Sequence, residues 1–109
     1  MAIEKFDLSA MTNGWFIGDF EPSLHRTQDF EVGLKRYKKG DYDSIHYHKI
    51  ATEFTVIVNG KVEMNGIQYN DGDIIKIMPD TPTNFKALTD VVTVVVKIPG
   101  ASNDKYLLK

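Results

Sequence analysis

The chain has 109 residues and a formal net charge of −2, with 42% hydrophobic and 26% charged residues. That length fits one domain with a core of its own, and that charge offers no global basic field to attract nucleic acid or an anionic membrane. The absence of cysteine excludes disulfides, zinc ribbons, thiolate catalysis and Fe–S clusters, and makes a cytoplasmic setting the simplest expectation.

No N-terminal stretch combines a basic start with an apolar run, so no signal peptide is expected. The segment before residue 21 holds Phe6, Leu8, Met11, Trp15, Phe16, Ile17 and Phe20, broken by Asn13-Gly14 and Gly18. Turn residues recur too often there for a long helix, and a short strand is expected over 15–17, covering a sheet edge or joining a partner. Glu21-Pro22-Ser23 reads as a turn. His25 stands alone in a polar stretch and reads as surface. Phe30, Val32 and Leu34 alternate with Glu31, Gly33 and Lys35, which is strand period. The charges that follow, through Lys39, read as a solvated strand end. If Phe30, Val32 and Leu34 face inward, however, parity carries Arg36 inward as a candidate contact for an anionic ligand.

Further along, 53–58 is β-branched and aromatic and predicts a strand. Asn59-Gly60, Asn65-Gly66 and Asn70-Asp71-Gly72 then punctuate strands over 61–65, 67–69 and 73–78. Pro79 and Pro82 bound a loop. Short and long strands follow over 84–87 and 91–98, the latter interrupted by Thr93 and Lys97 and far short of the roughly 20 apolar residues that span a bilayer. The whole predicts an all-β antiparallel sandwich or barrel with little or no helix. A single domain is expected over 1–109, with an N-terminal edge or dimerisation segment to about 29, a barrel core over about 30–98, and a tail over 99–109 that packs back or pairs across a subunit boundary. Several strands are apolar on both faces, so a homodimer or the N-terminal segment is expected to cover the surplus.

The chemistry concentrates between Gly40 and Gly60. His46 and His48 are two apart and so share one strand face, while Tyr47 points the other way and reads as structural. Residues 49–52 suffice to turn the chain, and Glu53 opens the next strand beside the same face. Two imidazoles and one carboxylate on one side of an ion suit a divalent metal with open positions. Thr55 and Ile57 share the parity of Glu53 and are expected to line the pocket. No dedicated general base stands out, although Tyr37, Asp41 and Asp43 are candidates.

The spacing of Gly40, His46, His48, Glu53 and Gly60 resembles the first motif of the cupin superfamily at every fixed position. A second cupin motif runs from a glycine through a proline to a histidine. Here Gly72 and Pro79 resemble its start, with one extra residue between them, Thr81 stands where its second glycine would be, and Asn84 stands where its histidine would be. The resemblance covers roughly 30–98. It implies an antiparallel jelly-roll barrel and a divalent transition metal (Fe, Mn, Zn, Ni or Co) held by His46, His48 and Glu53. Asn84 as the fourth ligand leaves three outcomes open: weak or water-mediated coordination, a three-ligand metal, or a pocket kept without metal.

Two functions follow as expectations: metal-dependent chemistry on a small molecule, or a non-catalytic binder of a sugar or anionic metabolite with a structural or absent metal. The expected partners are a small-molecule ligand and a second copy of the chain, with no nucleic acid and no membrane.

Overall fold

The computed structural model describes residues 2–101 and 103–108; Met1, Ser102 and Lys109, which belong to the expected end segments, lie outside the described residues. After a 3-10 turn at Leu8–Ala10 come β1 (Trp15–Ile17), β2 (Glu31–Tyr37), β3 (Tyr42–Tyr47), β4 (Thr52–Asn59) and β5 (Lys61–Met64). They are followed by β6 (Ile67–Asn70), β7 (Ile74–Ile77), β8 (Thr83–Ala87), β9 (Val91–Ile98) and β10 (Tyr106–Leu107). Two antiparallel five-stranded sheets result, in the orders β1-β2-β9-β4-β7 and β10-β3-β8-β5-β6. The expected all-β jelly roll is therefore the observed fold. Among the described residues no helix is long and apolar enough to cross a membrane.

The turns do the work their residues imply. Asn65 and Gly66 both adopt positive φ (52° and 80°) and join β5 to β6. Gly60 has φ of 106°, and a Cβ there would lie 2.4 Å from the Asp90 carbonyl oxygen. Only glycine fits that approach.

The core sits at one end of the barrel. Ile57, Val62, Met64, Ile77, Phe85, Ala87 and Val91 are buried together, with Tyr37, Tyr69 and Ile75 packed against them. These side chains come alternately from both sheets, as strand period requires. The opposite end holds the polar inward residues, because β4 runs from Glu53 down to Ile57 and β9 runs from Val91 up to Lys97. Ile57 thus shares the inner face of Glu53 and Thr55 but lies too deep to line the pocket. It is fully buried, and its expected place in the pocket is corrected to the core.

A second correction concerns β2. Its inner face carries Glu31, Gly33, Lys35 and Tyr37, whereas Val32, Leu34 and Arg36 face outward, with Arg36 exposed. Alternation points the other way, because Val32 and Leu34 form the apolar face and Glu31, Gly33 and Lys35 the polar one. The deciding contact is β1: Trp15 pairs with Gly33, and a Cβ on Gly33 would lie 2.7 Å from the indole. The strand turns its glycine inward to make room for that ring. The inward cation of β2 is consequently Lys35, not Arg36. As expected, β1 covers the edge of its sheet.

Replacing Ile57 with alanine is expected to cost about 2–5 kcal/mol in denaturant unfolding. Ligand or metal binding by the folded fraction should be unchanged; altered binding at full stability would place Ile57 back in the pocket.

Candidate metal centre and pocket

His46 lies near the end of β3 and His48 one residue beyond it, both buried, with ring centroids 5.5 Å apart and planes at 79°. The His46 Nδ1–H donates to the Ser44 carbonyl at 2.8 Å. A carbonyl only accepts, so this bond fixes the tautomer and leaves Nε2 as a lone-pair donor. His48 Nε2 is buried without any hydrogen-bond partner. Burial lowers the His48 pKa to about 4; the Lys97 charge, His46 and Lys105 add to this, and Asp104 opposes it. The ring is neutral at pH 7, so one of its two nitrogens carries a free lone pair.

The chain between His48 and Glu53 is held from far away in sequence. The Asp104 carboxylate, only 4% exposed, accepts from three consecutive amides: Lys49 at 2.9 Å, Ile50 at 3.0 Å and Ala51 at 3.0 Å. Burial works against its charge, but the amides of Ala51, Lys49 and Ile50 outweigh it and keep the pKa of Asp104 below the usual carboxylate range. Next to Asp104, β10 pairs with β3 in the register Tyr106–Tyr47 and Leu107–His46, and the Tyr106 ring stacks on Tyr47. The tail packs back on its own chain.

These residues border a cavity of about 170 Å³. His46, His48, Glu53, Thr55 and Asn84 line it as expected, together with Trp15, Lys35, Tyr37, Asp43, Thr83, Thr93, Lys97 and Lys105. Glu53 accepts from the Thr55 hydroxyl at 3.3 Å. Among the described residues no three His, Cys, Asp or Glu side chains stand together around one point. Two imidazoles and a carboxylate are donor types that a divalent cation takes; here the Ser44 bond orients the His46 ring and the buried His48 Nε2 has no partner.

Asn84 is corrected. Its side-chain oxygen accepts from the Asn65 amide at 2.7 Å, and its own amide donates to the Asn65 side chain, so it closes the end of the β5–β6 hairpin. The residue opposite His46 across β3 and β8 is Thr83. Thr83 shares the inward parity of the buried Phe85 and Ala87.

The candidate bases are also resolved. Burial, with the Asp43, Glu53 and Asp41 charges, pushes the Tyr37 phenol up to about 12, and Tyr37 packs on Phe85 with centroids 4.5 Å apart. Asp43 pairs with Lys105 at 3.3 Å, and the Asp41 carboxylate accepts from the Lys38 amide. Lys35 and Lys97 place their ammonium groups over the Trp15 ring, 5.3 and 4.9 Å from its centroid. Burial, then Lys97 and Lys105, lower the Lys35 pKa, while Asp43 and Glu53 oppose the shift.

Sequence reasoning did not single out Lys35, Thr93, Lys97, Asp104 or Lys105 as site residues. One signal was present: Thr93 and Lys97 interrupt an apolar strand at the same parity, so both polar groups enter the barrel on one face. The roles of Asp104 and Lys105 depend on tail folding that no local pattern encodes.

The comparisons agree with this architecture. A Klebsiella pneumoniae protein described as an uncharacterised conserved protein with a double-stranded β-helix domain has a TM-score of 0.69 and 22% identity, each chain being 99% covered. An RmlC-like cupin protein from Desulfovibrio desulfuricans has a TM-score of 0.60 and 26% identity over 70% of this chain and 77% of that one. KdgF from a Halomonas species has a TM-score of 0.64 and 21% identity over 71% and 74%. No family model matches the sequence, and no curated protein does. The two-sheet barrel is thus the fold of these double-stranded β-helix and RmlC-like cupin proteins.

The neutral state of His48 has a measurable consequence. Unfolded, its ring takes up a proton near pH 6.5; folded, only near pH 4. Its contribution to stability is therefore complete above about pH 6.5 and is lost progressively as pH falls towards 4. In chelator-treated protein, the unfolding midpoint should fall through that window. His48→Gln should flatten the fall, and equal pH profiles for the two proteins would contradict the assignment.

Proposed function

We propose that this cupin holds a divalent transition metal through His46, His48 and Glu53 and acts on a small molecule in the adjoining pocket. The observation that carries this reading is the buried Nε2 of His48, which has no partner. Leaving a buried polar atom without a hydrogen bond costs about 1–3 kcal/mol, so a position that keeps one has a use for it. The metal would supply Lewis acidity, or a binding position for O₂, beside the substrate.

The chain's own groups have separate parts in this reading. Ser44 orients the His46 ring through its carbonyl. Thr55 orients the Glu53 carboxylate. The Asp104 carboxylate fixes the turn that carries the chain from His48, at the end of one sheet, to Glu53 in the other. Met64, Phe85 and Val95 give the wall an apolar surface that limits water beside the reacting atoms. Thr83 opposite His46 leaves room where a fourth imidazole would stand.

A non-catalytic binder is the second reading, and one observation favours it. Both candidate bases at the pocket are committed, Tyr37 as a phenol with its pKa raised to about 12 and Asp43 in an ion pair. A protein that binds metal and ligand but never changes the ligand, in the presence or absence of O₂, would decide for this reading.

Metal content of protein purified without added metal tests the centre. His48→Ala is expected to lower affinity by at least the roughly 10–100-fold that loss of an outer partner of a metal ligand costs. Equal content in both proteins would remove the ligand assignment. Thr83→His is expected to tighten metal binding, whereas Asn84→His should not; the reverse order would show that the register reading of β8 is wrong.

A further inference from the structure

We infer that the pocket contains an anion subsite in which the Lys35 and Lys97 ammonium groups bind the carboxylate of a small organic acid and the Thr93 hydroxyl binds its other polar end. This names the ligand class of the proposed function and rests on that reading only in taking the pocket to receive a small molecule; the subsite needs no metal.

Three lysines line the cavity. Lys105 is paired with Asp43. Among the described residues Lys35 and Lys97 have no ion-pair partner. Neither carboxylate nearest to Lys97 by register lies within ion-pair distance of it. Glu31, opposite it on β2, accepts from the Ala101 amide at 2.9 Å, and Glu53, opposite it on β4, accepts from Thr55. Lys35 donates one N–H to the Asn13 carbonyl at 2.7 Å and retains two. Two ammonium groups over one indole repel each other unless an anion lies between them.

Thr93 supplies the independent observation. It is 1% exposed, lines the same cavity and has an Oγ1 without any hydrogen-bond partner. It stands opposite Lys35 in the β2–β9 register and on the same face of β9 as Lys97. A hydroxyl is an unfavourable filling for a sealed core position, where valine has the same shape without the polar atom. Its presence makes sense if something in the cavity accepts its proton. His48 Nε2 and Thr93 Oγ1 are the buried side-chain atoms without a partner among the described residues, and both residues face this one space. At about 170 Å³ the cavity is below the usual 300–1,000 Å³ of drug-sized sites. That admits an acid of a few carbons and excludes a nucleotide or an oligosaccharide.

Trp15 is the only tryptophan of the chain and reports the site directly. Malonate, titrated into chelator-treated protein at constant ionic strength, is expected to change its fluorescence saturably, and malonamide is not. Lys35→Gln and Lys97→Gln should each weaken malonate binding about ten-fold or more, the loss of one charge-assisted hydrogen bond. Lys39→Gln, outside the cavity, should leave it unchanged. Thr93→Val should weaken binding while melting no lower than the wild type, which a loss through misfolding would not do. An equal response to malonamide, unaltered affinity in both lysine variants, or no saturable response would overturn the subsite. Binding that requires added metal and ignores Lys97→Gln would overturn the subsite and leave the metal reading standing. Binding to a protein that never retains metal would support the subsite and remove the metal reading.

Discussion

Three consecutive amides, those of Lys49, Ile50 and Ala51, converge on one buried carboxylate, that of Asp104. This contact connects a turn in the middle of the chain to its last few residues. The turn passes from β3 in one sheet to β4 in the other, and the donor groups of the candidate centre lie on either side of it. With the turn fixed, His48 ends one wall of the pocket and Glu53 begins the next. The same anchoring sets Lys105 beside Asp43 and seats Tyr106 on Tyr47. A charged acceptor bound by three backbone donors is among the stronger arrangements a protein of this size can make. A tail read from local pattern alone would not reveal it.

The barrel divides its interior by depth. Apolar side chains from both sheets fill one end, and every inward residue nearer the other end of β4 and β9 is polar or lines the cavity. Burial at that polar end has two opposite effects on charge. It keeps His48 neutral, which is the form a metal requires. It also raises the cost of the unpaired ammonium groups, which an entering anion would lower. In the proposed reading the pocket would take a cation at its imidazoles and an anion at its lysines. An ion pair between a bound metal and a small acid would satisfy both.

Strand period made much of this legible. The two histidines share a face because they are two apart, and Asn-Gly and Asp-Gly pairs mark the turns by their backbone requirement. The spacing from Gly40 to Gly60 carried the resemblance to the cupin superfamily. The failures have physical causes that parity cannot express. Arg36 was assigned inward because Val32 and Leu34 look like core residues, but the room needed by the Trp15 ring over Gly33 reverses the strand. Ile57 has the right face and the wrong depth. Thr83, not Asn84, pairs with His46, because β8 places Thr83 on the inward parity of Phe85 and Ala87. Lys35, Lys97 and Thr93 escaped notice because only folding brings their strands beside Trp15.

The most direct test of the central claim is an anomalous difference map from crystals grown with Mn²⁺ or Co²⁺ as the only transition metal. The expected result is one peak within bonding distance of His46 Nε2, His48 Nε2 and a Glu53 oxygen, with Thr83 rather than Asn84 facing the position left open. A peak ligated by other residues, or no peak in protein shown to be folded, would contradict it.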